Sequence, residues 1–118
     1  MATVDQFVLE DMTIVKLSGA LGAEGIDDVE RQFAQATERE GARVVVDLTG
    51  VDMVATPALS MFIAAANKAK ATGGRVVFTE SSPSVHDVLK RLRLTSVLQT
   101  VPGLEEAIKT LKTGTNEQ

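Results

Sequence analysis

Thr56 and Pro57 stand where a β-branched run gives way to an apolar one, in the stretch VVVDLTGVDMVATPALSMF over 44–62. A hydroxyl at the head of a helix can accept a hydrogen bond from a free backbone N–H. A proline in the first turn has no N–H to leave unpaired. The pair is therefore expected to open a helix with Thr56 as its cap, a role worth roughly 1 kcal/mol. Four outward-pointing N–H groups and the positive end of the helix dipole would make this turn receptive to an anion. A phosphate carried on the Thr56 hydroxyl itself is one such anion. Capping and phosphoacceptance are compatible readings of the same residue.

Other chemistry is sparse. The one histidine, His86, falls off the apolar stripe formed by Val85, Val88, Leu89 and Leu92, and reads as a surface residue. With one histidine and no cysteine, a transition-metal site would need several converging carboxylates, and no such spacing occurs. Disulfides and thiolate chemistry are excluded. No glycine-rich phosphate loop is present, and Gly73-Gly74 precedes a strand rather than following one. The pairs Asp27-Asp28 and Glu105-Glu106 are adjacent, so they point in different directions on a helix and read as N-terminal helix charges. No catalytic constellation assembles and no cofactor is implied.

The elements that must position Thr56 can be read from periodicity. Two strands, 6–9 and 13–17, flank the polar break Glu10-Asp11 and suggest a hairpin. Ile26, Val29, Phe33 and Ala36 recur at helical spacing within a first helix over 24–40, with Gly41 placed to end it in the left-handed conformation. A strand over 43–48 precedes a polar connector, and a second helix spans 57–71, ending at Gly73-Gly74. A strand over 75–79 follows, then Ser82-Pro83 opens a third helix, a short strand lies near 97–100, and Leu104, Ile108 and Leu111 mark a last helix. The order β-β-α-β-α-β-α-β-α implies a single α/β domain over 1–113 with a mostly parallel mixed sheet, and a frayed tail over 114–118. Val44–Val46 and Val76–Phe78 are continuous apolar runs, as interior parallel strands require.

Composition sets the class. The 118 residues are 44% hydrophobic and 24% charged, an ordinary globular balance with one core. With four Phe, no Tyr and no Trp, that core must be aliphatic. No apolar run reaches the ~20 residues of a membrane span, and the N-terminus lacks the pattern of a signal peptide, so a cytoplasmic location without membrane insertion is expected. A net charge of −4 argues against nucleic-acid binding.

With the elements placed, the stretch from about Val8 to Leu111 resembles the STAS domain in its stand-alone anti-sigma factor antagonist form. LSGAL over 17–21 is similar to the family's L-S/T-G-x-L, and VVVDLTGVDMV to its V-V-L-D-L-S-G-V-x-F-I. ATPALSMF stands where the family has D-S-S-G-L-G-x-L. GGRVVF, then SPSVHDVLKRLRLTSVL and EEAI, continue the likeness in order. The resemblance implies a non-catalytic partner-switching module. Its unphosphorylated form binds a histidine-kinase-like Ser/Thr protein kinase that doubles as an anti-sigma factor, and phosphorylation at the head of the second helix dissociates the complex. The matching position is Thr56. Ala55 replaces the family's Asp beside it, Pro57 its second Ser, Ala58 its Gly, and Gly22 the Asp that often follows the second-strand Leu. The partner-binding candidates are accordingly Gly22, Ala55, Thr56, Pro57, Ala58, Ser60 and Met61.

Two further readings follow from the second helix and the altered motif. Leu59, Phe62, Ile63 and Ala66 make one apolar face, which Met61, Ala64 and Ala65 extend around the helix. Either the helix is deeply buried, or Met61 and Ala65 belong to a docking patch beside Thr56, where Met would give an adaptable contact. Such a patch could also serve a homodimer. The altered motif leaves open an accessory STAS subunit of a signalling assembly or membrane lipid transporter complex, without a phosphoswitch.

Overall fold

The computed structural model describes residues 3–22, 26–37, 41–79, 83–94 and 98–113. Five strands and four helices follow in chain order: β1 (Thr3–Leu9), β2 (Met12–Leu21), α1 (Ile26–Thr37), β3 (Arg43–Val54), α2 (Thr56–Ala71), β4 (Arg75–Thr79), α3 (Pro83–Arg91), β5 (Gln99–Val101) and α4 (Leu104–Thr113). The strands lie in one sheet in the order β1-β2-β3-β4-β5. The β1–β2 hairpin is antiparallel, and every later pairing is parallel. The α/β order expected from periodicity is the order observed.

Alternation along the strands sorts the core into two layers. Val15 and Leu17 on β2, Val44, Val46 and Leu48 on β3, and Phe78 on β4 face α1, α2 and α3. Met12, Ile14, Val45 and Val77 face the other way and are covered by Ala107 and Leu111 of α4. Each fully buried valine or leucine contributes about 1.5–3 kcal/mol by leaving water. Phe62 of α2 lies between Phe33 and Phe78, with ring centroids 5.8 Å and 5.2 Å away. These three of the four phenylalanines join α1, α2 and β4 at the centre of the larger layer.

β3 is longer than its sequence suggested. It continues through Thr49-Gly50 to Val54, where a polar connector was expected. β2 supplies the reason: it runs on to Leu21 and pairs Ser18 with Gly50, Gly19 with Val51 and Ala20 with Met53. The register shifts between Lys16 and Ser18 and again between Gly19 and Ala20, bending the strand pair. Gly50 permits this close approach, since a Cβ there would lie 2.9 Å from Ser18 Cβ. Gly41 adopts φ +70, as expected for the end of α1; positions 24, 25 and 38–40 of the expected first helix lie outside the described residues. So do Ser82, position 97 of the expected fifth strand, and the tail over 114–118.

At the end of the β3–β4 pairing sits a buried carboxylate. Asp47, 4% exposed, accepts at Oδ1 from Thr49 N (3.0 Å), Thr49 Oγ1 (2.6 Å) and Thr79 Oγ1 (3.1 Å). Thr79 Oγ1 in turn accepts from Leu48 N at 2.9 Å, replacing the ladder bond that ends with Val46 and Phe78.

Candidate functional site

One residue, Ala55, separates β3 from α2. Its N–H donates to Leu21 O at 2.8 Å, which ties the exit of β3 to the end of β2. That bond holds Ala55 extended, at φ −89 and ψ 166, and makes it the N-cap of α2. Ala55 O accepts from Ala58 N (3.0 Å) and Leu59 N (3.2 Å), so helical geometry begins at Thr56 itself.

This corrects the expectation that Thr56 caps the helix. Its side chain lies one position too far along the chain to reach the first-turn donors, and Ala55 offers none in its place. The Thr56 hydroxyl is exposed and makes no hydrogen bond among the described residues. The anion-receptive turn is also thinner than four free donors. Pro57 has no N–H, and Ala58 and Leu59 already donate to Ala55, which leaves Thr56 N–H. The dipole remains, with no acidic residue in the first turn of α2 to offset it.

The other candidates divide by burial. Pro57 and Ser60 are exposed beside Thr56. Gly22 is half-buried at the end of β2, and a Cβ there would meet Met53 Cε at an ordinary 3.6 Å. Ala58 is fully buried on the inner face of α2, so its side chain is not available to a partner. Met61 and Ala65, at 7% and 8% exposure, pack into the larger core layer. The deeply buried reading of α2 therefore describes them, and what remains exposed of each lines a groove between α1 and α2.

A groove between α1 and α2 opens beside the site. Ile26 and Glu30 line one wall, and Pro57, Ser60, Met61 and Ala64 the other, around a volume of about 300 Å³. It continues past Phe33, Ala34 and Ala65 to Lys68. The contribution of α1 was not foreseen. Glu30 reads in sequence as an ordinary solvated charge, and only the packing of α1 against α2 brings it to the groove. Chemically, the site offers the Thr56 hydroxyl on a helix head, with the exposed Ser60 one turn further on, beside a mostly apolar channel with an acid partway along it. His86 lies half-buried on α3, and no group of three or more metal-ligating side chains occurs among the described residues. No described helix is long and apolar enough to cross a membrane.

Comparison with known proteins places this geometry. The Bordetella bronchiseptica protein BtrV, provisionally named an anti-sigma factor antagonist, is 24% identical over 105 residues, covering 89% of this chain and 90% of that one. The crystal structure of an anti-sigma factor antagonist from Mycobacterium paratuberculosis matches with a TM-score of 0.87 at 16% identity, covering 95% of each chain. The Bacillus cell fate determinant SpoIIAA in its phosphorylated form matches with a TM-score of 0.70 at 14% identity, covering 92% of this chain and 99% of that one. The family model described as "Mlab, STAS domain" matches residues 8–100, which hold β2 to β4 and the head of α2, and the chain belongs to the STAS domain family.

Proposed function

We propose that this protein is an anti-sigma factor antagonist: a non-catalytic binding module that engages a histidine-kinase-like anti-sigma factor through the head of α2, with Thr56 as the phosphoacceptor. The observation that carries the reading is the Thr56 hydroxyl, exposed and unbonded at the first helical position, where the family carries its phosphoacceptor. The names of BtrV and of the mycobacterial relative support the antagonist role, and the phosphorylated Bacillus structure supports the modification. Phosphate on Thr56 would bring a charge of about −1.5 to −2 onto the contact surface. The helix head would tolerate it, so the switch acts by repulsion and desolvation at the partner rather than by refolding.

A second reading is favoured by Ala55 and Gly22, which stand where the family carries acidic residues. On that reading the chain is an accessory STAS subunit of a signalling assembly or membrane lipid transporter complex, and the phosphoswitch is lost. Affinity purification from native cells, with mass spectrometry of Thr56, separates the two. A kinase-like anti-sigma protein and phosphate on Thr56 support the first, and transporter or scaffold subunits with unmodified Thr56 the second. With the kinase-like partner in hand, Thr56→Glu is expected to weaken binding by ~30-fold or more in calorimetry, the loss of ~2 kcal/mol or more at a contact. Unchanged affinity removes Thr56 from the switch.

A further inference from the structure

The groove between α1 and α2 holds two polar groups that the fold leaves unused. At the end beside the head of α2, Glu30 borders it on the α1 side and Ser60 on the α2 side. Neither side chain makes a hydrogen bond or ion pair among the described residues. Other acids of the surface are paired: Asp28 with Arg31, Asp11 with Arg43 and Glu10 with Lys112. Glu30 has no such neighbour. A helix supplies a counter-charge from three or four residues away, and those positions hold Ile26, Asp27, Phe33 and Ala34. The remaining walls are Ile26, Pro57, Met61 and Ala64, so no lysine or arginine lines this end. Lys68 belongs to the continuation of the groove, one turn beyond Ala64.

On the antagonist reading, on which this rests, the geometry points to an arginine of the kinase-like partner as the occupant of this end of the groove, its guanidinium on Glu30 and Ser60 and its stem along the apolar walls. Two unused acceptors, one of them charged, border one concavity. A guanidinium brings five N–H donors in a planar fork and no acceptor, so it can donate to both. It is more weakly hydrated than an ammonium and loses less on entering a channel walled by Ile26, Met61 and Ala64. The methylene stem covers apolar surface while the head stays on the carboxylate. A volume of about 300 Å³ lies at the bottom of the range of small-molecule sites, which suits one long side chain better than a cofactor. The net charge of −4 attracts a cationic surface from a distance. Ala55 and Gly22 stand where the family carries acids, and Glu30 returns a carboxylate to the contact surface from a different helix. Thr56 does not line this concavity, so recognition at Glu30 and modification at Thr56 are separate contacts.

A small cation tests the groove without the partner. Phenylguanidinium, titrated into the isotope-labelled full chain and followed by NMR, should give saturable shifts at the amides of Glu30, Ser60, Met61 and Ala64, with a dissociation constant on the order of 1–10 mM. Its neutral isostere phenylurea should bind about tenfold more weakly or worse. Glu30→Gln, at an exposed position, should cut the phenylguanidinium affinity about fivefold or more with an unchanged circular dichroism spectrum. With the kinase-like partner, Glu30→Lys should weaken the complex by about 30-fold or more, since it sets like charges together. No saturable shifts at this end of the groove, equal binding of phenylurea, or shifts that persist in Glu30→Gln would each overturn the proposal. Partner affinity that falls with Thr56→Glu but not with Glu30→Lys would overturn it too, and leave the reading of Thr56 standing. A fall with Glu30→Lys alone supports the arginine contact and removes Thr56 from the switch, and no response to either variant sinks both.

Discussion

Two adjacent residues divide the work at the head of α2. Ala55 starts the helix and Thr56 presents the hydroxyl, and the substitutions at these positions are expected to behave oppositely. Thr56→Ala should leave the melting temperature unchanged within about 1 °C, because the lost hydroxyl bonds nothing among the described residues. Ala55→Asp should raise stability by about 0.5–1 kcal/mol, or about 2–4 °C in a thermal melt. The backbone there is already extended, and the Ala58 N–H is within one turn. Pro57 cannot donate, which limits the gain to the low end of the range. The same substitution restores the carboxylate that the family carries beside its hydroxyl, so a gain in stability and a gain in phosphorylation by a cognate kinase can be measured on one variant. Sequence alone could not separate the two roles. Thr-Pro is a strong helix-start signal in isolation, but the bond from Ala55 N to Leu21 O, made across 34 positions, moves the start back by one residue.

At the scale of elements, nearly all of the order was legible, and the departures have long-range causes. Helical spacing located α1 and α2, and continuous valine runs located β3 and β4, because burial on one stripe or on both faces leaves a local pattern. The second half of β3 left none. Thr49-Gly50 has the composition of a turn, yet Gly50 is there to let Ser18 approach, and only the partner strand makes that necessary. Asp47 was likewise passed over, though an acid inside an apolar strand followed two residues later by Thr is a signal for a local side-chain cap. Its network closes the β3–β4 junction. Thr79→Val should therefore cost about 1–3 kcal/mol in urea denaturation, since it strips Leu48 N–H of its acceptor and Asp47 of one of three donors while conserving volume. An unchanged midpoint would mean that water or another group replaces the hydroxyl without loss.

For the molecule as a whole, the strand order equals the chain order, and α4 covers one sheet face that α1, α2 and α3 leave untouched. A chain truncated at 103 uncovers Met12, Ile14, Val45 and Val77, each fully buried in the intact protein. At about 1.5–3 kcal/mol per side chain the loss rivals the 5–15 kcal/mol that a domain has in total. The truncated chain is expected to bind a hydrophobic dye and to aggregate, and a monomeric, dye-silent product would show that α4 is dispensable. The arrangement also sets a sequence of events during synthesis. The β1–β2 hairpin leaves the ribosome ahead of the other described elements and can close by local contacts, and each later strand adds beside the one just made, always on the side away from β1. Growth thus proceeds in one direction, and no incoming strand has to displace an earlier pairing. The cover for the second face, α4, follows all the other described elements in the chain. Until then the nascent chain displays an oily valine-rich surface and an open strand edge at once, and this is the interval in which a chaperone would find its target.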